Sequence, residues 1–67
     1  MKFETFGLNV AKERMKKDLP AYELSLQLGK DASYISKLEN GKINVSLKMI
    51  ILISEILKIN VCDLFKE

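Results

Sequence analysis

The chain predicts an all-α domain built from five short helices, and three observations carry that prediction. Apolar residues recur three and four positions apart through most of the sequence, the spacing of one face of a helix. Pro20, Gly29, Asn40-Gly41 and Asn60 cut that pattern into short pieces. The one run that also reads as a strand, MIILI at 49–53, has no second strand to pair with, so it is assigned to a helix.

The first helix is expected from about Phe3 to Asp18, with Phe3, Phe6, Val10 and Arg14 on one side. Gly7 weakens its first turn, because glycine has low helix propensity. Pro20 suits the first turn of a second helix, where a missing N–H does no harm. That helix runs to about Leu28, with Leu24 and Leu28 on one face and Gly29 as its left-handed terminator. Asp31 is a good N-cap for the third helix, since its carboxylate can accept from exposed first-turn amides. The third helix turns Ile35 and Leu38 inward and stops at Asn40-Gly41. Ser46 caps the fourth, LKMIILISEIL, with Leu47, Ile50, Ile53 and Leu57 as its core stripe. After Asn60, VCDLF forms a last turn or two.

At 67 residues the chain is expected to be one domain, residues 1–67. Folding at this size buries only about 60% of the surface that the unfolded chain exposes. With 48% apolar and 30% charged residues, the composition is that of a globular domain rather than a disordered tract. No apolar run approaches the roughly 18 residues of a membrane span, and residues 1–15 hold no secretory h-region. The single Cys62 cannot form an internal disulfide, which fits a reducing cytoplasm. The net charge of +2 says little about partners. The lysines in 30–48 matter more, provided that the fold gathers them on one side.

The spacing of helices two and three is the informative feature. Two helices of roughly eight residues joined by Gly29-Lys30-Asp31 have the layout of a helix-turn-helix. Ser25 is small where the two helices must approach, Gly29 can adopt the positive φ of the turn, and Ile35 ties the third helix to the second. The stretch LPAYELSLQLGKDASYISKLENGK resembles the phage-repressor-like (Cro/cI-type, XRE) family, also described as lambda-repressor-like. The likeness rests on Leu24-Ser25, Gly29, Ile35-Ser36 and Glu39-Asn40-Gly41, and continues through Ser46, Ile50, Ile53 and Leu57 to Asp63-Leu64-Phe65. Three positions depart from the family pattern: Ala21 replaces a common glutamine, Lys30 an aliphatic residue and Val45 a proline.

The resemblance implies a third helix lying in the DNA major groove. Ala32, Ser33, Ser36 and Lys37 then face the bases, with Lys37 able to donate to guanine O6 and N7 and Ala32 able to touch a thymine methyl. Lys30, Tyr34, Asn40, Lys42 and Asn44 are expected to reach phosphate oxygens, which fix register without reading sequence. The alternative for all of these is an ordinary solvated face. Helical phase directs the charged Arg14 and Glu39 inward, where a charge needs a partner. The resemblance implies a structural salt bridge between them.

Met49, Leu52 and Ile56 form a second apolar stripe on helix four, beside the core stripe. One reading makes it the interface of a two-fold homodimer, presenting two reading helices about one DNA turn apart on a palindromic operator. The other has the C-terminal residues folding back to cover it.

There is no histidine, no cysteine pair and no glycine-rich phosphate loop, so neither an enzyme nor a metal or other cofactor is expected, and no small-molecule ligand or membrane partner. The expectation is a cytoplasmic bacterial or phage transcriptional regulator that binds double-stranded DNA, a homodimeric repressor, nucleoid-associated when bound. The competing class is a protein-interaction module on the same fold, antitoxin-like or an adaptor. Binding to a random duplex at low salt discriminates between the two.

Overall fold

The computed structural model describes residues 3–67; the side chain of Phe3, expected on the inward side of helix one, lies outside what is described. Four helices, α1 (Phe3–Lys16), α2 (Ala21–Gln27), α3 (Tyr34–Glu39) and α4 (Leu47–Leu57), are followed by a C-terminal 3-10 turn (Val61–Phe65). The architecture is all-α as expected, with no strand among the described residues. The fifth piece is a 3-10 turn rather than an α-helix. It is opened by the Asp63 carboxylate, which accepts from the Asn60 amide at 3.2 Å.

All four helices close in the same way. A residue in the left-handed conformation follows each one: Asp18, Gly29, Gly41 and Lys58. At each end paired backbone bonds reach back over the last turn, as from Lys30 N to the Ser25 carbonyl and Gly29 N to the Leu26 carbonyl, both 3.0 Å. These are Schellman closures, which satisfy helix-end carbonyls that would otherwise lack donors. Two of the four use a non-glycine residue.

The core joins Phe6 and Val10 of α1, Leu24 of α2, Ile35 and Leu38 of α3, and Ile50, Ile53 and Leu57 of α4 with Leu64. The expected placement of Leu47 in the α4 stripe is wrong: it is 70% exposed. Leu47 is the first residue of α4, beyond the point where the core converges, and Ser54 shares the buried face in its stead.

The C-terminal residues pack on α1. Phe65 stacks on Phe6 with ring centroids 5.5 Å apart. The buried Asn9 amide donates to the carbonyls of Leu64 at 3.0 Å and Lys66 at 2.8 Å. The 3-10 turn contacts α4 as well as α1. Met49, Leu52 and Ile56 are half-buried rather than an open strip, because Met49 and Ile56 rest against the edge of the core.

Candidate nucleic-acid interface

Residues 21–42 build the site. The Gly29 closure of α2, with φ +75, reverses the chain so that α3 can cross α2. On α3, Ile35 and Leu38 point into the core while Ser36 and Lys37 are exposed. Ala32 and Ser33, in the tight turn just before α3, are exposed as well. Of the four residues expected to face bases, Ser36 and Lys37 are thus exposed on α3, and Ala32 and Ser33 in the turn that leads into it.

The start of α3 differs from a simple Asp31 cap. Asp31 Oδ1 does accept from the Ser33 amide at 3.1 Å, but it also accepts from the Ser33 hydroxyl at 2.8 Å. The regular helix begins only at Tyr34. These two bonds from Ser33 hold the Asp31 carboxyl below the usual carboxylate range. The second of them uses the single hydroxyl proton of Ser33, so toward another group that hydroxyl can only accept.

The residues expected at phosphates divide into two groups. Lys30, Lys42 and Asn44 are exposed. Lys30 Nζ sits 5.5 Å from the centroid of the Tyr34 ring, so the two side chains form one cation–aromatic unit at the turn. Burial pushes the Tyr34 hydroxyl to a higher pKa. Asn40 is partly occupied, because its side-chain amide donates to the Ser36 carbonyl at 2.8 Å and reinforces the end of α3.

Three contacts hold α3 from behind. Arg14 Nε donates to Glu39 Oε2 at 2.7 Å and Arg14 Nη2 to Glu39 Oε1 at 3.1 Å, a two-pronged pair. Arg14 Nη1 donates to the Leu19 carbonyl at 2.9 Å, so one guanidinium ties α1, the α1–α2 connection and the end of α3. Hydrogen bonding to Glu39 is the main reason that the Arg14 pKa rises above its ordinary value. The second contact is Gly7: a Cβ there would lie 2.8 Å from the Leu38 carbonyl oxygen and 2.7 Å from that of Glu39. Gly7 is therefore where the α1 backbone seats against the last turn of α3. The third is the buried Ser25 hydroxyl, which accepts from the Ile35 amide at 2.9 Å.

Sequence reasoning registered Gly7 only as a weak helix former and Ser25 only as small. The one signal for Ser25 is a hydroxyl directly after the inward Leu24. Among the described residues there is no group of three or more His, Cys, Asp or Glu placed to hold a metal ion. No helix among them is long and apolar enough to cross a membrane.

Comparison with known proteins agrees with this geometry. The HTH_3 helix-turn-helix family model matches residues 10–64. Among solved structures, the chain is similar to the restriction-modification controller protein C.AhdI from Aeromonas hydrophila. The two are 33% identical, with a TM-score of 0.85, over 94% of this chain and 91% of that one. No curated protein matches the chain.

Proposed function

The chain belongs to the HTH_3 helix-turn-helix family of DNA-binding transcription regulators, and from that premise we propose that it is a homodimeric repressor of a palindromic operator. The observation that carries the reading is the exposed set Ala32, Ser33, Ser36 and Lys37, the last two on the helix whose other side holds Ile35 and Leu38 in the core and the first two in the turn leading into it. In this role α3 enters the major groove, and Lys37 donates to guanine O6 and N7. Ser33, its proton given to Asp31, accepts from an exocyclic amine of adenine or cytosine. Ala32 meets a thymine methyl, and Ser36 adds an adaptable hydroxyl.

Lys30, Tyr34, Asn40, Lys42 and Asn44 flank this set and hold phosphates. Each phosphate neutralised adds roughly −0.9 to the log–log salt slope of affinity. The second copy packs through Met49, Leu52 and Ile56, whose half-buried side chains leave apolar area at the edge of the core. Residues 1–67 act as one domain in a cytoplasmic protein, and repression is steric: an occupied operator excludes polymerase. Control of a restriction-modification system, the role named for C.AhdI, is one concrete setting for such a regulator.

Selection of bound duplexes from a random pool tests the reading. A two-fold symmetric winner with half-sites about one helical turn apart is expected. An asymmetric winner removes the homodimer. Absence of binding to any duplex, even at low salt, points to the protein-interaction module.

A further inference from the structure

The first turn of α3 is capped from another helix. Ser25 is 0% exposed. Its hydroxyl donates to the Ala21 carbonyl at 2.9 Å and accepts from Ile35 N at 2.9 Å, so both its proton and a lone pair are used. Ile35 lies in the first turn of α3, where backbone amides have no partner within the helix itself. Regular continuation of the helix backward would give this amide the Asp31 carbonyl. That carbonyl instead takes Tyr34 N at 3.1 Å, a tighter reach of three residues. Ser33, at the cap position with φ −94 and ψ −2, offers no side-chain cap. Residues 31–33 therefore form a turn of their own, and the amide that would draw them onto the helical path is held by α2.

We propose that Ser25 is a positioning residue for sequence reading: by holding the Ile35 amide, its hydroxyl sets where Ala32 and Ser33 stand relative to Ser36 and Lys37. This rests on the reading that the outward side of α3 meets bases. Without the hydroxyl, the buried Ile35 amide loses its partner, a state that folded chains avoid. The acceptor that a helix supplies is the Asp31 carbonyl. Taking it extends α3 backward and swings Ala32 and Ser33 around the helix axis, while Lys37, Lys42 and Asn44, beyond the first turn, stay where they were. The loss is thus confined to the base pairs under the leading turn.

The experiment compares the full chain with Ser25→Ala and Ser25→Cys. Affinity is measured for a duplex selected by the parent from a random pool, for its single-base-pair variants and for a random duplex, at two salt concentrations. Ser33→Ala marks the base pairs that lie under the turn. Ser25→Ala is expected to lower preference at those base pairs by at least about fivefold, the low end of what one mismatched pair costs. Preference at the Lys37 base pair should be unchanged, and affinity for the random duplex should fall far less than preference at the marked base pairs. Ser25→Cys keeps the side-chain size but is a weak acceptor, so it should lose part of the same preference. Retention of every base preference by Ser25→Ala overturns the proposal, as does a uniform loss that includes the random duplex. If Ser25→Ala does not fold, the same two outcomes for Ser25→Cys decide. A parent that selects no duplex removes the premise, a failure visible without any Ser25 variant.

Discussion

Arg14 on α1 and Glu39 in the last turn of α3 meet through two parallel charge-assisted hydrogen bonds, 2.7 and 3.1 Å long, with each side chain only 13% exposed. A planar guanidinium on a carboxylate fixes orientation as well as distance, which lysine cannot do. The same guanidinium holds the Leu19 carbonyl. Arg14→Ala should therefore leave a nearly buried carboxylate and a carbonyl without donors, costing about 2–3 kcal/mol. In a domain of this size that lowers the melting temperature by roughly 10–20 °C, measurable by circular dichroism. Arg14→Lys should recover only part of the loss.

Gly7→Ala separates propensity from packing by sign. On propensity alone, alanine in a helix stabilises by about 1 kcal/mol over glycine. Here the new Cβ would fall 2.7–2.8 Å from two backbone oxygens of α3, which cannot rotate away as a side chain would. Overpacking of this kind costs roughly 1–3 kcal/mol. A lower melting temperature is expected, and a higher one would show that α1 and α3 are not in close contact there.

Two surface carboxylates contribute to the acid sensitivity of the fold. Asp31 is held low by the Ser33 hydroxyl and amide, and Asp63 by Lys66 and the Asn60 amide. A depressed pKa in the folded state means that the unfolded chain binds the proton more tightly, so acid favours unfolding. Their contribution is complete above the unfolded value of roughly 3.9 and is lost as pH falls through the lower folded values. Melting temperature should be flat with respect to these groups from pH 7 to about 5 and should fall below about 4. Asp31→Asn together with Asp63→Asn should flatten that fall.

Much of the fold is legible in the sequence because its signals are local. Pro20, Gly29 and Asn40-Gly41 end or begin helices through their own backbone preferences, so the helix breaks can be placed to within a few residues. Asp18 and Lys58 do the same work in the left-handed conformation without being glycine, and nothing local marks Lys58 for it. Leu47 matches the helical period of the α4 stripe yet is exposed, because burial at a helix end depends on what lies across from it. The outward set on α3 follows from phase alone once Ile35 and Leu38 are placed inside. The grips behind it do not: Gly7 against the α3 carbonyls and Ser25 on the Ile35 amide are contacts across the fold, visible only when the helices are assembled.

The measurement that tests the central claim most directly is the affinity of the parent and of Lys37→Ala for a selected duplex and for each of its single-base-pair variants. Lys37 is exposed on the outward side of α3. If that side reads bases, Lys37→Ala loses about 1–3 kcal/mol at one base pair of each half-site, with preferences elsewhere intact. Equal weakening toward every sequence, with the salt slope reduced by about 1, would instead make Lys37 a phosphate contact and contradict the assignment.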